Sequence, residues 1–302
     1  MLAVTLAWST AGVVTRHLDA ARSFEVTFWR SLFCALTLVA VLGASRGTAL
    51  WADLRRGGWA LWLSGACWAV MFTNFMLAIT LTSVATVLIT MAIAPLITAL
   101  FARTFLRHRL PLRTWAAIAV GGVGIAWMFG RQAFAPGANM TGAWVALGVP
   151  LAGATNWTLL QHLHQRHAQD PTVAEPDMLP AVLIGSLLSV AVTWPLALPL
   201  AASEHDLGLL AGLGVFQLAL PCLLVVLLAR VLPAPEISLF GLLEVVFGVL
   251  LAWVGAGEAP GANALTGGAL VIAALAANEG WAMLERQGEP ANQADGWRPT
   301  QG

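Results

Sequence analysis

Long apolar runs separated by short polar loops make up most of the sequence. A run of roughly 20 apolar residues is the length that an α-helix needs to cross the hydrocarbon core of a bilayer. The pattern predicts ten membrane-spanning helices and leaves no room for a sizeable soluble domain. The predicted spans are about Leu2–Thr15, Phe24–Ala44, Gly58–Thr80, Ser83–Ala102, Leu112–Phe129, Gly142–Leu163, Met178–Leu198, Leu207–Ala229, Ile237–Ala256 and Leu265–Leu284.

The composition agrees with a surface that faces lipid. Of the 302 residues, 59% are hydrophobic and only 10% are charged, whereas a soluble domain is about one quarter charged. So few charged residues would not cover the surface of a soluble globule of this length. Helices satisfy their own backbone hydrogen bonds in lipid. We therefore expect an all-α integral membrane protein with a mobile polar tail.

The sequence offers little for enzyme chemistry or for nucleic-acid binding. The net charge is zero, and no basic stripe indicates a nucleic-acid partner. Cys34, Cys67 and Cys222 lie in separate apolar runs, which favours structural thiols over disulfides or a metal site. No nucleotide-binding loop, catalytic triad or zinc signature is present. We expect no catalytic residues, no cofactor and no metal. Two alternatives to a transporter remain, a membrane-embedded lipid-modifying enzyme and a structural membrane scaffold.

The positions of arginine predict the orientation in the membrane, because cytoplasmic loops are enriched in basic residues. The sequence contains 15 arginines and no lysine. With a cytoplasmic N-terminus, only Arg16, Arg22 and Arg131 fall in outer loops. The inner loops and tail then hold Arg46, Arg55, Arg56, Arg103, Arg107, Arg109, Arg113, Arg166, Arg230, Arg286 and Arg298. Both termini are therefore predicted to be cytoplasmic.

An internal repeat with an offset of about 150 residues runs through the sequence. Trp8 in the first span corresponds to Trp157 in the sixth. The stretch from Ala94 to Ile97 corresponds to the stretch from Glu244 to Phe247. Two halves of five helices must have opposite topology, which is an inverted repeat of the kind that builds alternating access around a midplane site. We predict repeats over residues 1–135 and 136–285, followed by a polar cytoplasmic tail over 286–302.

Four short motifs stand out, namely Trp8-Ser9, Phe28-Trp29-Arg30, Ala94-Pro95-Leu96-Ile97 and Glu244-Val245-Val246-Phe247. Together with the paired halves, they resemble the drug/metabolite transporter superfamily and, within it, the EamA-type exporters. The resemblance covers about residues 1 to 285, and it implies a bacterial inner-membrane exporter of small amino acids or related metabolites. It also implies a small-molecule substrate, no nucleic acid, and a monomer or homodimer in the bilayer. Val245 replaces the family's usual proline, and the lysines of its sugar-phosphate carriers are absent.

Two charged residues inside predicted spans are candidates for substrate binding, because a charge within a bilayer is costly unless it is paired or hydrated. Glu244 is either a proton, cation or ammonium site or a structural carboxyl. Arg30 either receives a substrate carboxylate, for which a guanidinium is suited, or pairs with Glu25 near the outer interface, or extends its charged end to that interface.

Uncharged polar and aromatic residues form a second group of substrate-binding candidates. Buried amides and hydroxyls in a membrane often join helices instead of binding a ligand. The resemblance, however, places them on helices that line the family's central cavity. This group comprises Trp8, Ser9, Asn74, Thr90, Asn156, Trp157, Gln161 and Gln217.

Pro95 and Pro221 are the candidate gating residues. A proline inside a helix frees the carbonyl four residues earlier and bends the helix. The sequence predicts both prolines to lie within continuous spans, where they favour a hinge. A broad exporter of drugs or cationic compounds remains the alternative function.

Overall fold

The computed structural model describes residues 1–21, 23–82, 84–107, 110–133, 140–172, 176–257 and 261–288. A 3-10 turn, Thr15–His17, follows the first helix, and a π-helical segment, Leu213–Ala219, joins the tenth helix to the eleventh. Within the described ranges no residue lies in a β-strand, which confirms the all-α class. The helices are α1 (Leu2–Val14), α2 (Ser23–Arg46), α3 (Ala49–Arg56), α4 (Trp59–Leu81), α5 (Val84–Met91), α6 (Ala94–Phe105), α7 (Leu112–Ala133), α8 (Met140–Gln169), α9 (Leu179–Ala197), α10 (Glu204–Gly212), α11 (Leu220–Leu228), α12 (Ala234–Ala256) and α13 (Ala262–Gly288).

Eight segments of the described chain are long and apolar enough to cross a membrane. Six of them lie in α2, α4, α7, α8, α9 and α12, and two are composite, Thr86–Phe105 and Glu204–Leu228. Helix α1 is apolar but has only 13 residues, or about 20 Å at 1.5 Å per residue. Helix α13 is long but is not among the eight. A multi-span helical membrane protein is therefore confirmed, and the count of ten spans stays a prediction.

Two of the predicted spans are interrupted. A turn at Ala92 and Ile93 separates α5 from α6, and the π-helical segment separates α10 from α11. Pro95 and Pro221 each occupy the second position of the helix that follows the break. At Pro95, which follows the turn, proline is tolerated because the first turn of a helix has no intrahelical acceptor for its N–H. Both prolines nevertheless lie within single long apolar spans, Thr86–Phe105 and Glu204–Leu228, and their role in gating stays a prediction.

Helix α3 was not predicted from the hydrophobic pattern. It has only eight residues, too few for a span, and it is amphipathic, with Leu50 buried and Trp51 exposed. Arg46 at the end of α2 forms an ion pair with Asp177, which precedes α9, and lies 3.9 Å from Asp53 of α3. These contacts join α3 to the ends of two long helices.

The long helices pack in a connected bundle. The most extensive contacts join α7 to α13, α4 to α8 and α9, α2 to α9, and α1 to α12. Glycine allows close approach between α7 and α13, because a Cβ added to Gly124 would lie 2.8 Å from the carbonyl oxygen of Gly267. Small residues serve this purpose widely in membrane helices.

Two buried carboxylates join distant parts of the chain at the end of the molecule where α2 and α10 begin. Glu25 Oε1 accepts hydrogen bonds from the backbone N–H groups of Ala201 and Ala202, at 2.9 and 2.8 Å. Asp206 in turn accepts backbone hydrogen bonds of 2.7 to 3.1 Å from residues 19–21. We call Glu25, Asp206 and the N–H groups that they bind the carboxylate clasp.

Candidate functional site

A cavity lies between α1, α2, α4, α8, α12 and the π-helical segment. About 160 Å³ of it can hold the centre of a water molecule. One water needs about 10–15 Å³ on this measure, so the space suits roughly ten waters or one small organic molecule. Its lining comprises Trp8, Arg30, Trp68, Met71, Phe72, Phe75, Met91, Ala94, Val149, Pro150, Gly153, Trp157, Gln217, Leu218, Cys222, Ile237, Ser238, Gly241, Leu242, Glu244 and Val245.

Aromatic side chains form one wall of the cavity. The rings of Trp68 and Trp157 meet edge to face, with centroids 5.4 Å apart, and Trp68 also contacts Phe72 at 5.5 Å. Such pairs add to the stability that burial alone provides. The wall is therefore a fixed, apolar surface contributed by α4 and α8.

Two opposite charges line the same cavity. Arg30 is only 4% exposed, and Glu244 is half-buried. No ion pair within 4.0 Å joins the two groups in the described residues. The cavity thus carries one guanidinium, its cationic pole, and one carboxyl group, its acidic pole.

Arg30 has few protein partners. Its Nη1 donates to Gln217 Oε1 across a long 3.5 Å, and its Nε has no hydrogen-bond partner among the described residues. The predicted alternative, an ion pair between Arg30 and Glu25, is not formed among the described residues; Glu25 Oε1 accepts from the backbone N–H groups of Ala201 and Ala202. A guanidinium has five N–H donors, so most of its hydrogen-bonding capacity is left for a ligand or water.

Gln217 connects the cationic pole to α1. Its Nε2 donates to the carbonyl oxygen of Trp8 at 3.3 Å, while its Oε1 faces Arg30. The residue belongs to the π-helical segment, and such segments occur frequently at functional sites.

Five of the ten predicted binding residues lie on the cavity wall, namely Trp8, Arg30, Trp157, Gln217 and Glu244. Two of the others bond within their own helix: Ser9 Oγ donates to the Leu6 carbonyl at 2.6 Å, and Thr90 Oγ1 to the Thr86 carbonyl at 2.8 Å.

The remaining three predicted residues join neighbouring helices. Asn74 Nδ2 donates to the carbonyl oxygen of Val145 at 3.2 Å. Asn156 Oδ1 accepts from Ser64 at 2.6 Å. Gln161 Oε1 accepts from the backbone N–H of Ala234, the first residue of α12, at 2.9 Å; the first N–H groups of a helix need such outside acceptors.

Sequence reasoning missed several lining residues, of which Trp68, Phe72 and Pro150 are the clearest. Trp68 lies in the middle of α4, far from the helix ends where tryptophan marks a membrane interface. That position was a usable signal, and it is the same signal that identified Trp8 and Trp157. The apolar residues Phe72 and Leu218 carried no signal, because apolar residues fill every span.

Both helix breaks reach the cavity. Met91 and Ala94 lie on either side of the α5–α6 turn and line the cavity. Gln217 and Leu218, from the π-helical segment, line it elsewhere. Irregular backbone at membrane depth is tolerated where it is buried in protein or lines a cavity. The two breaks are therefore part of the site's construction.

A second group of polar residues lies at the carboxylate clasp. Ligand atoms of Asp19, His205 and Asp206 all lie within 4.8 Å of one another. The Asp206 oxygens already accept backbone hydrogen bonds, and His205 lies 3.3 Å from Asp19. The geometry supports a structural contact between the loop before α2 and the first turn of α10.

Comparison with known proteins agrees with this architecture. Residues 1–130 match the EamA-like transporter family. The predicted resemblance is confirmed for that part of the chain, which contains Trp8 and Arg30. A solved structure described as "Crystal structure of protein" superposes with a TM-score of 0.74, covering 95% of this chain and 96% of the other. The sequences are 17% identical, so this likeness shows the fold alone. No curated protein matches the sequence.

Proposed function

We propose that the protein is a secondary transporter that exports small amino acids or related metabolites across the bacterial inner membrane by alternating access. The observation that supports this most strongly is the presence of Arg30 and Glu244, oppositely charged and not paired with each other, in one cavity. A free amino acid carries a carboxylate and an ammonium group. The first suits a guanidinium, and the second suits a carboxylate.

The energetics of the bilayer favour a zwitterionic ligand. A central arginine or aspartate costs about 2.5–3.5 kcal/mol on insertion scales. A ligand with both charges would satisfy Arg30 and Glu244 together and leave the loaded cavity neutral. A ligand with one charge would leave one pole unsatisfied.

The rest of the cavity favours an apolar substrate side chain. Apart from Arg30, Gln217, Ser238 and Glu244, its lining is almost entirely apolar or aromatic. Burial of apolar surface against such a wall contributes about 25 cal/mol per Å². We therefore place amino acids such as leucine ahead of polar ones.

The packing of the helices supports the proposed inverted repeat. Helix α4 contacts α8 and α9, and the corresponding segment from α10 to α11 contacts α1 and α2. Helix α6 contacts α8, and the corresponding α12 contacts α1. The distribution of arginine supports cytoplasmic termini. Alternating access would then follow from movement of one half against the other.

Ligand binding to the purified protein tests the proposal. Leucine should raise the midpoint of thermal unfolding, because a ligand that binds only the folded state stabilises it. Two analogues should raise the midpoint only at higher concentration: leucinamide, which lacks the carboxylate, and 4-methylpentanoate, which lacks the ammonium group. Absence of binding or counterflow for all twenty amino acids would contradict the proposal.

Export of lipophilic cations is a second candidate. Glu244 and the indole rings of Trp8, Trp68 and Trp157 face one cavity, and aromatic faces attract cations. Tetraphenylphosphonium counterflow in proteoliposomes separates the two candidates. If cations are the substrates, Arg30→Gln leaves their transport intact, whereas amino-acid transport depends on Arg30.

A further inference from the structure

Gln217 lies between the cationic pole of the cavity and α1. It is 6% exposed, and its side-chain amide makes both of its contacts with other helices. Oε1 accepts from Arg30 at 3.5 Å, and Nε2 donates to the Trp8 carbonyl oxygen at 3.3 Å. Rotation of the amide by 180° would place donor against donor and acceptor against acceptor. The two neighbours therefore fix the orientation of the amide.

The backbone that carries Gln217 is held directly against α2. A Cβ added to Gly214 would lie 2.5 Å from Phe33 Cβ and 2.9 Å from the carbonyl oxygen of Arg30. The π-helical segment therefore touches the backbone of Arg30 at Gly214 and its guanidinium at Gln217. Glycine is required there because any side chain would separate the two helices.

We propose that Gln217 is a positioning residue, which holds the Arg30 guanidinium in place to receive the carboxylate of the substrate. The proposal rests on the function proposed above. Gln217 accepts from only one of the five N–H donors of the Arg30 guanidinium. Arg30 Nε has no hydrogen-bond partner in the described chain. The remaining donors suffice for a two-pronged contact with a carboxylate.

The neutral amide is the chemical feature that matters. A carboxylate at position 217 would also orient Arg30, but it would neutralise the guanidinium and compete with the substrate. An apolar side chain of similar length would leave the charge intact and remove the acceptor. Glutamine alone among these three orients the cation and preserves its charge for a ligand.

The test is leucine binding to Gln217→Glu, measured beside thermal unfolding without ligand. We expect the leucine Kd to rise about tenfold or more, since one tenfold step corresponds to the loss of a single hydrogen bond to a charged group. The unfolding midpoint without ligand should stay unchanged or rise, because the new carboxylate pairs with Arg30. Gln169→Glu, at the exposed end of α8, is the charge-matched control and should bind like the wild type.

A second variant and a second ligand separate positioning from damage to the cavity. Gln217→Met should also weaken leucine binding, because Arg30 loses its acceptor. Leucinamide binding should change less than leucine binding in both variants, because leucinamide has no carboxylate for Arg30. Equal losses for both ligands, or wild-type leucine affinity in Gln217→Glu, would overturn the positioning role. Failure of the wild type to bind any amino acid would instead overturn the proposed function.

Discussion

The side-chain oxygen Oε1 of Glu25 accepts a hydrogen bond of 2.8 Å from the backbone N–H of Ala202, 177 positions further along the chain. Glu25 is fully buried, and it also accepts from Ala201 and from the indole N–H of Trp29. Asp206 holds residues 19–21 in the same manner. Each carboxylate thus binds the loop next to the other one's helix, and the start of α2 is fixed to the start of α10.

Replacing Glu25 by Gln should lower the midpoint of thermal unfolding by several degrees. Hydrogen bonds to a charged group contribute about 1.5–3 kcal/mol, and an amide accepts less strongly from two N–H groups. Unfolding in detergent, followed by tryptophan fluorescence, measures the effect. Asp19→Asn is the control, because the Asp19 side chain is exposed and contacts His205 at the surface. An unchanged midpoint in Glu25→Gln would show that the clasp contributes little to stability.

Replacing Glu244 by Gln should weaken leucine binding about tenfold or more, because the ammonium group loses a charged partner. Binding of 4-methylpentanoate, which has no ammonium group, should not weaken. Isothermal titration with both ligands makes the comparison. Equal losses for the two compounds would mean that Glu244 supports the cavity without meeting the ammonium.

Glu244 is also the residue through which export would be coupled to proton movement. A carboxyl group inside a membrane span is a frequent proton carrier in transporters. If Glu244 carries the coupled proton, Glu244→Gln should abolish the pH dependence of leucine counterflow in proteoliposomes. A pH dependence equal to that of the wild type would refute proton coupling through this residue.

Replacing Gly241 by Leu should block transport without preventing folding. Gly241 lines the cavity, and no atom lies within 4 Å of an added Cβ. The leucine side chain would therefore occupy space that the substrate needs, and leucine also favours the helix more than glycine does. Gly248→Leu on the same helix is the matched control, since it too meets open space but lies outside the cavity lining. Loss of transport in both variants would argue against a specific block.

Replacing Ser64 by Ala should lower stability without changing leucine affinity. Ser64 Oγ donates to Asn156 Oδ1 at 2.6 Å, and such bonds between membrane helices contribute about 0.6–2 kcal/mol. Neither residue lines the cavity. The unfolding midpoint and the leucine Kd, measured on one preparation, check both parts of the prediction. A tenfold rise in the leucine Kd would instead indicate that Asn156 takes part in substrate binding.

The sequence by itself determined the class of the protein and the poles of the site. Apolar runs in a chain with few charges must be membrane helices, because no other single-segment structure satisfies its backbone in lipid. Arg30 and Glu244 were identified as candidate site residues for a related reason. A charge inside a membrane span is costly, so such residues usually have a function. The match of residues 1–130 to the EamA-like transporter family agrees with that reading.

The tertiary structure decided which polar residues face the cavity. In the sequence, three amides are equally good candidates for substrate binding, namely Asn156, Gln161 and Gln217. Only Gln217 lies on the cavity wall. Asn156 bonds to Ser64, 92 positions away, and Gln161 to the N–H of Ala234, 73 positions away. Polarity shows that a buried amide needs a partner, but the rotation and packing of whole helices decide what that partner is. The turn before Pro95 and the π-helical segment before Pro221 also appear only in the tertiary structure.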